Sequence, residues 1–224
     1  MQTSAIDHQA EAEELIEKLR GQPSVTEVAR ILEQVHRLGV WSRGSILTRG
    51  SLSVPAPPRL TIEKLKLVRT FVQKGLGESC HKALLVVGQW AGEESLDEPI
   101  ALLGDPHMDK EMDGETPSYC LSVLRYIGGP KAVAAIVNVL NGSTGDDSLR
   151  LAAIRAIRDL ASGGSVSDID TIANPAAGIP SVVMLHSELL SHLHSALDRI
   201  CEDSSFSFSL RFHAAEALEL LAGC

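Results

Sequence analysis

The chain has 224 residues and a formal net charge of −9, with 44% hydrophobic residues but only 4% aromatic ones. A core with so few aromatic side chains must be built from Leu, Ile, Val and Ala, which suits closely packed helices. No stretch approaches the roughly 20 apolar residues of a membrane helix, so no membrane span is expected.

The N-terminus does not resemble a signal peptide, because acidic residues stand where an apolar run would be required. The four cysteines (Cys80, Cys120, Cys201 and Cys224) are far apart and form no Cys-x-x-Cys pair. This spacing predicts reduced thiols in a cytoplasmic protein rather than a disulfide framework.

Charge is unevenly distributed along the chain. Residues 21–75 carry nine cationic and three anionic side chains (+6), whereas residues 76–115 carry two and ten (−8). Such polarised blocks could steer an oppositely charged partner. Alternatively, the two blocks neutralise each other within the fold.

Helical periodicity predicts an N-terminal hairpin over residues 1–38. Its first helix covers residues 5–20, and its second begins at a capping box, Ser24-Val25-Thr26-Glu27, and ends at Gly39. Residues 39–60 are rich in Gly, Ser, Arg and Pro and predict a mobile loop or linker, since connections inside a domain usually have about 4–6 residues.

The remaining residues, 61–224, are predicted to form one repeat domain of antiparallel helix pairs. Gly128-Gly129-Pro130 separates two of these helices. Residues 92–116 and 163–180 are predicted to be irregular, and no segment alternates apolar and polar residues as a strand would. The other predicted helices cover residues 61–75, 79–91, 117–127, 131–140, 147–161, 181–201 and 209–222.

Two stretches of the chain, 148–161 and 209–222, are near-copies 61 residues apart. They share an opening Ser-Leu-Arg, two alanines, an aliphatic residue and a closing Leu-Ala. Similarity at a fixed offset indicates a repeat protein, in which stacked units bury a core that no single unit could build.

Three segments carry a resemblance to HEAT repeats, closest to the short kind found in phycobilisome lyases. Arg150-x-x-Ala153-x-x-Ala156-Ile157 and Arg211-x-x-Ala214-x-x-Ala217-Leu218 resemble the first helix of such a repeat, and residues 123–140 resemble its core. Residues 87–92 match more weakly. The resemblance implies an all-α fold: a short right-handed α-solenoid of about four to five antiparallel helix pairs, HEAT- or armadillo-like.

This resemblance implies a surface rather than a reaction, so the first hypothesis is a non-catalytic scaffold for protein–protein interaction. An alternative is a phycobilin-lyase-like enzyme subunit or chaperone. The iron-binding deoxyhypusine hydroxylases of this class use His-Glu pairs, and the chain has no His-Glu dipeptide. Nucleic-acid binding is disfavoured by the acidic balance and would depend on the basic 21–75 block.

The expected partner is a protein, with an acidic surface facing cationic side chains. One set is expected in a groove lined by the second helix of each pair: Arg150, Arg155, Arg158 and Arg211. A second set lies in or near the basic block, where Trp41 beside Arg43 is a residue combination typical of interface hot spots; its cations are Arg43, Arg49, Lys64, Lys66 and Arg69.

The segment Arg49-Gly50-Ser51-Leu52-Ser53-Val54-Pro55 resembles a motif that 14-3-3 proteins read after phosphorylation, which makes Ser53 a possible phosphosite. The alternative is a linker whose Trp41 packs back on the repeats.

Three patterns resemble chemical sites but favour simpler explanations, so no cofactor or metal is expected. Residues 109–115 resemble half of a calcium loop, but position 12 is Cys120. Ser191, His194 and Asp198 share one helix stripe, where amides are already hydrogen-bonded and no oxyanion hole can form. His186, His192 and His194 lack the i, i+4 spacing of a helical zinc site.

Overall fold

The computed structural model describes residues 7–47, 59–73, 77–104, 115–142, 147–161 and 187–222. Within these ranges the secondary structure is helical and contains no strand, which confirms the all-α class. None of the described helices is both long enough and apolar enough to cross a membrane.

Ten α-helices and two short 3₁₀ turns, Lys18–Gly21 and Glu93–Ser95, are described. In chain order the helices are α1 (His8–Glu17), α2 (Val25–Leu47), α3 (Ile62–Gln73), α4 (Glu78–Trp90), α5 (Asp97–Leu103), α6 (Thr116–Ile127), α7 (Gly129–Asn141), α8 (Asp147–Ala161), α9 (Ser187–Glu202) and α10 (Phe208–Ala222).

The helices pack in a regular order. Consecutive helices pair as α1 with α2, α3 with α4, α5 with α6, α7 with α8 and α9 with α10. The second helix of each pair also packs on the second helix of the next pair, from α2 through α4, α6 and α8 to α10. Among the first helices, α1 contacts α3 and α7 contacts α9. Each described helix therefore touches near neighbours in the chain.

Two hydrophobic cores meet at α6. The N-terminal core is formed by α1 to α4 and by Cys120 and Val123 of α6. The C-terminal core runs from Leu96 through α7 to α10 and includes Leu121 and Leu124 of α6. One helix thus contributes adjacent faces to the two cores.

The predicted helix end at Gly39 is wrong, because α2 continues to Leu47. A Cβ atom at Gly39 would lie 2.6 Å from Nε1 of Trp90, so this glycine lets α2 and α4 approach closely. Trp90 is fully buried and donates a hydrogen bond from Nε1 to the carbonyl oxygen of Val35 over 2.9 Å. Glycine here marks a helix contact rather than a helix end.

The predicted linker over 39–60 is therefore helical up to Leu47, and residues 48–58 lie outside the described part of the chain. The sequence leaves open whether the predicted hairpin 1–38 packs on the helices that follow it. Ile16 and Leu32 share one core with Val68 and Leu84 of the segment predicted as the repeat domain. The N-terminal helices are thus part of the same packed body as α3 and α4.

The predicted irregular segment 92–116 also contains a helix, α5. Its acidic residues serve as ion-pair partners: Glu98 binds Arg69 at 2.8 Å, and Asp97 binds Lys131 at 2.5 Å. The short apolar run supplies Ile100, which packs on the C-terminal core. The many acidic residues of this segment made it read as irregular, although these cations and the core stabilise the helix α5.

The near-copies 148–161 and 209–222 occupy equivalent positions, since α8 and α10 are successive second helices packed on each other. Ala153 and Ala214, 61 residues apart, are both fully buried. Gly128 and Gly129, with φ of 70° and 83°, form the sharp turn between α6 and α7 that the sequence predicted.

Candidate functional site

The predicted arginine groove divides into structural and exposed residues. Arg150 is buried and caps the end of α7, donating to the carbonyl oxygen of Gly142 at 2.8 Å, while its guanidinium lies 5.1 Å from the ring centroid of Phe206. Arg199 of α9 donates to the neighbouring carbonyl of Leu140 at 2.9 Å. These arginines satisfy carbonyl groups that the helix end leaves without partners.

The three other groove residues lie closer to solvent. Arg158 is half-buried and bridges α8 to α10 through Glu216, with 3.1 Å between Nη1 and Oε2. Arg155 is exposed and has no ion-pair partner among the described residues. Arg211 is half-buried at the start of α10, and its Nε has no hydrogen-bond partner among the described residues.

Arg155 belongs to a mixed surface on the outer side of α6 and α8, named the α6–α8 surface. On α8, Ser148, Leu151 and Arg155 follow at helical spacing, which places them on one face. On α6 the corresponding residues are Ser118, Ser122 and Arg125.

A cross-helix ion pair holds this surface together. Nη1 of Arg125 lies 2.6 Å from Oδ2 of Asp159, and its guanidinium lies 4.8 Å from the ring centroid of Tyr126. Arg125 is therefore committed to joining α6 and α8, whereas Arg155 is free to meet a partner.

Two of the five cations in the second predicted set are engaged within the fold. Lys64 of α3 pairs with Glu17 of α1, and Arg69 of α3 pairs with Glu98 of α5. Lys66 is exposed and has no ion-pair partner among the described residues. The side chain of Arg43 lies outside the described part of the chain, as do Arg49 and Ser53.

Neutralisation of the basic block is extensive. Five of its nine cationic residues pair with carboxylates: Arg30, Arg37, Arg59, Lys64 and Arg69. Only Arg59 and Arg69 among these pair with the acidic 76–115 block, through Glu94 and Glu98, so the described contacts show the two blocks neutralising each other in part. This weakens the nucleic-acid hypothesis, which needs clustered free cations.

Trp41 lies on α2 with 59% of its surface exposed, although its ring centroid is 6.3 Å from that of His8. The contact covers one side of the indole and leaves the rest available. Trp41 thus touches α1 and still presents a large apolar surface, and its role in partner binding stays a prediction.

A cluster that the sequence did not reveal lies between α4 and α6. Nε2 of His81 is 2.8 Å from the hydroxyl of Thr116, and the imidazole stacks on Tyr119 with 4.3 Å between ring centroids. Glu115 lies 3.9 Å from Nδ1. Thr116 is fully buried and His81 is 4% exposed, so the cluster fastens two helices and gives a substrate no access to the hydroxyl.

The described thiols are poor nucleophiles. Burial raises the pKa of Cys80 to about 11 and that of Cys120 to about 12. Both are therefore neutral at physiological pH, and a neutral thiol neither attacks nor binds a metal strongly. They act as small core side chains.

The remaining patterns with possible chemistry gain no support. Ser191 and Asp198 are exposed on α9, and the described contacts include no hydrogen bond joining them to His194. Residues 109–114 and His186 lie outside the described ranges. Across the described residues, no group of three His, Cys, Asp or Glu side chains could hold a metal ion.

Comparison of the chain with protein-family models, with curated proteins and with solved structures gives no match.

Proposed function

We propose that the chain is a HEAT-like α-solenoid that acts as a non-catalytic scaffold for protein–protein interaction. The observation that carries the proposal is the packing order: the second helices of successive pairs contact one another from α2 to α10. Stacked pairs of this kind give an extended surface, which is how solenoids bind other proteins. The equivalent burial of Ala153 and Ala214 supports a true structural repeat.

The partner-binding part of this scaffold is proposed to be the α6–α8 surface, with Arg155 as its free cation. A rigid layer beneath it is provided by the Arg125–Asp159 and Arg158–Glu216 pairs, which hold neighbouring second helices together. A partner with an exposed Asp or Glu would gain a charge-assisted hydrogen bond from Arg155.

Testing this placement requires reversing single charges that the fold does not use. Reversing Lys64 or Arg69 would also break helix-to-helix contacts, so those residues cannot separate binding from folding. Arg155→Glu on α8 and Lys66→Glu on α3 form a matched pair, since both residues are exposed and unpaired among the described residues.

The experiment is quantitative affinity capture from nuclease-treated lysate of the source cells, with the wild-type chain and the two variants as baits. At least one protein should be retained by wild type and by Lys66→Glu and lost with Arg155→Glu. A photo-cross-linker at position 148 should form adducts with that protein, while one at Glu14 on α1 should not. Equal retention by all three baits would refute this placement of the site.

A further inference from the structure

Helix α10 has a face that no other described helix covers. On α8, Ile154 and Ala161 are buried, and α10 is the next second helix packed beside them. The positions 61 residues later, Ala215 and Ala222, are exposed on α10. In the described part of the chain no helix follows α10, so α10 presents the register that α8 uses for packing.

Large apolar side chains lie on this face of α10. Phe208 is 76% exposed and Phe212 is 50% exposed, with 6.3 Å between their ring centroids. Leu218 beside them is half-buried. The five large exposed hydrophobic residues described on second helices all lie on α2 or α10, and two of them are this phenylalanine pair.

Two charged residues frame the apolar face. Arg211 lies one turn before Ala215 and Glu219 lies one turn after it, so all three share a side of the helix. Neither charge has an ion-pair partner among the described residues. A cation near the start of the helix and an anion near its end make the face complementary to a copy of itself turned by 180°.

We propose that α10 is a self-association surface, on which two copies of the chain pack α10 against α10 in antiparallel orientation about a two-fold axis. The axis passes Ala215, whose small side chain allows the two helices to approach closely. Arg211 of each copy then faces Glu219 of the other, and Phe212 faces Leu218. Phe208 of each copy covers Ala222 of the other.

Charge complementarity selects a second copy as the occupant. A two-fold interface uses the same patch twice, and this patch supplies both members of each ion pair. The opposite end of the layer is a poorer match, because Arg30 and Arg37 on α2 already pair with Glu27 and Glu33 of their own helix. The dimer extends the proposed function without depending on the α6–α8 surface.

A 15-residue helix is about 22 Å long, so one helix pair forms a small interface and a weak dimer. The test is sedimentation equilibrium of the full chain from about 10 to 500 μM, a range suited to small interfaces. Wild type should show a monomer–dimer equilibrium. Arg211→Glu and Glu219→Arg should each raise the dissociation constant by about tenfold or more, because each brings like charges together.

The most decisive sedimentation experiment uses a mixture of the two single variants. Arg211→Glu in one copy and Glu219→Arg in the other give two complementary pairs across the axis, so an equimolar mixture should dimerise more tightly than either variant alone. Arg155→Glu serves as the control charge reversal and should dimerise like wild type. Circular dichroism confirms that each variant is folded, and the recovery on mixing shows that both remain competent.

Several outcomes would overturn the proposal: a wild-type chain that stays monomeric to the highest concentration, a series of higher oligomers as head-to-tail packing on α2 would give, or a mixture that fails to dimerise. Failure of this experiment leaves the partner surface on α8 untouched, because Arg155 lies on a different helix and its capture assay uses a different readout.

Discussion

The two halves of the molecule solve the same packing problem differently. In the C-terminal half, α8 and α10 meet through alanines at repeating positions, and arginines cap the end of α7. In the N-terminal half the contacts are individual: Trp90 fills the space over Gly39, and ion pairs such as Lys82–Glu33, at 2.6 Å, join α4 to α2. Repetition makes one half readable from sequence, whereas the other half depends on single large residues.

The largest expected effect follows from replacing the residue at the centre of the N-terminal half. Trp90→Ala removes a fully buried indole and its hydrogen bond to Val35, and should lower the free energy of unfolding by about 3–5 kcal/mol. Urea denaturation followed by far-UV circular dichroism gives the value. Trp41→Ala, at the other and largely exposed tryptophan, should change it by under about 0.5 kcal/mol.

Overfilling the small-residue contact tests the C-terminal half. Ala214→Leu adds three carbons to a fully buried position between α10 and its neighbours, and should cost about 1–3 kcal/mol. The adjacent Ala215 is exposed, so Ala215→Leu at low protein concentration should leave the unfolding free energy almost unchanged. Equal losses in the two variants would show that the burial pattern of α10 is incorrect.

Two arginines of the C-terminal half should differ in their effect on stability. Arg150→Ala leaves the carbonyl of Gly142 without its donor and should destabilise the chain by about 1–3 kcal/mol. Arg155→Ala should be neutral for stability to within about 0.5 kcal/mol, since the side chain is exposed and unpaired among the described residues. Thermal unfolding of the two variants side by side provides the check.

The smallest effect concerns pH and the N-terminal half. Burial lowers the pKa of His36 below its ordinary value of 6.5, against the opposing influence of Glu33, while Lys82 and Arg37 lower it further. Unfolded chains therefore bind this proton at higher pH than folded ones, and stability falls as the pH drops below about 6.5. His36→Gln should lose less stability than wild type between pH 7.5 and 5.5, and an identical loss would contradict the assignment.

Sequence analysis predicted most of the fold where the period was visible. The near-copies identified α8 and α10, and Gly128-Gly129 correctly marked a turn. The prediction at Gly39 was wrong because a glycine in the sequence can either end a helix or make room for a neighbouring side chain. Only the tertiary structure, with Trp90 packed against Gly39, distinguishes the two. The helix α5 was missed because its stabilising partners, Arg69 and Lys131, are distant in sequence.

The candidate site was less predictable. Residue type placed Arg150 and Arg155 in one groove, but their roles depend on which arginine faces a helix end and which faces solvent. The buried pair of His81 and Thr116 joins residues 35 positions apart, and no local pattern announces it. The role of a surface side chain thus depends on the direction in which it faces, which composition does not encode.

Amide hydrogen exchange in two core variants tests most directly whether a core mutation destabilises only the helix pairs next to it. Val68→Ala creates a gap in the N-terminal core, and Ala214→Leu strains the C-terminal one. A stacked array predicts faster exchange in α1 to α4 for the first variant and in α8 to α10 for the second, with α6 affected by both. Uniformly faster exchange along the whole chain in both variants would show a single undivided globule and contradict the repeat architecture.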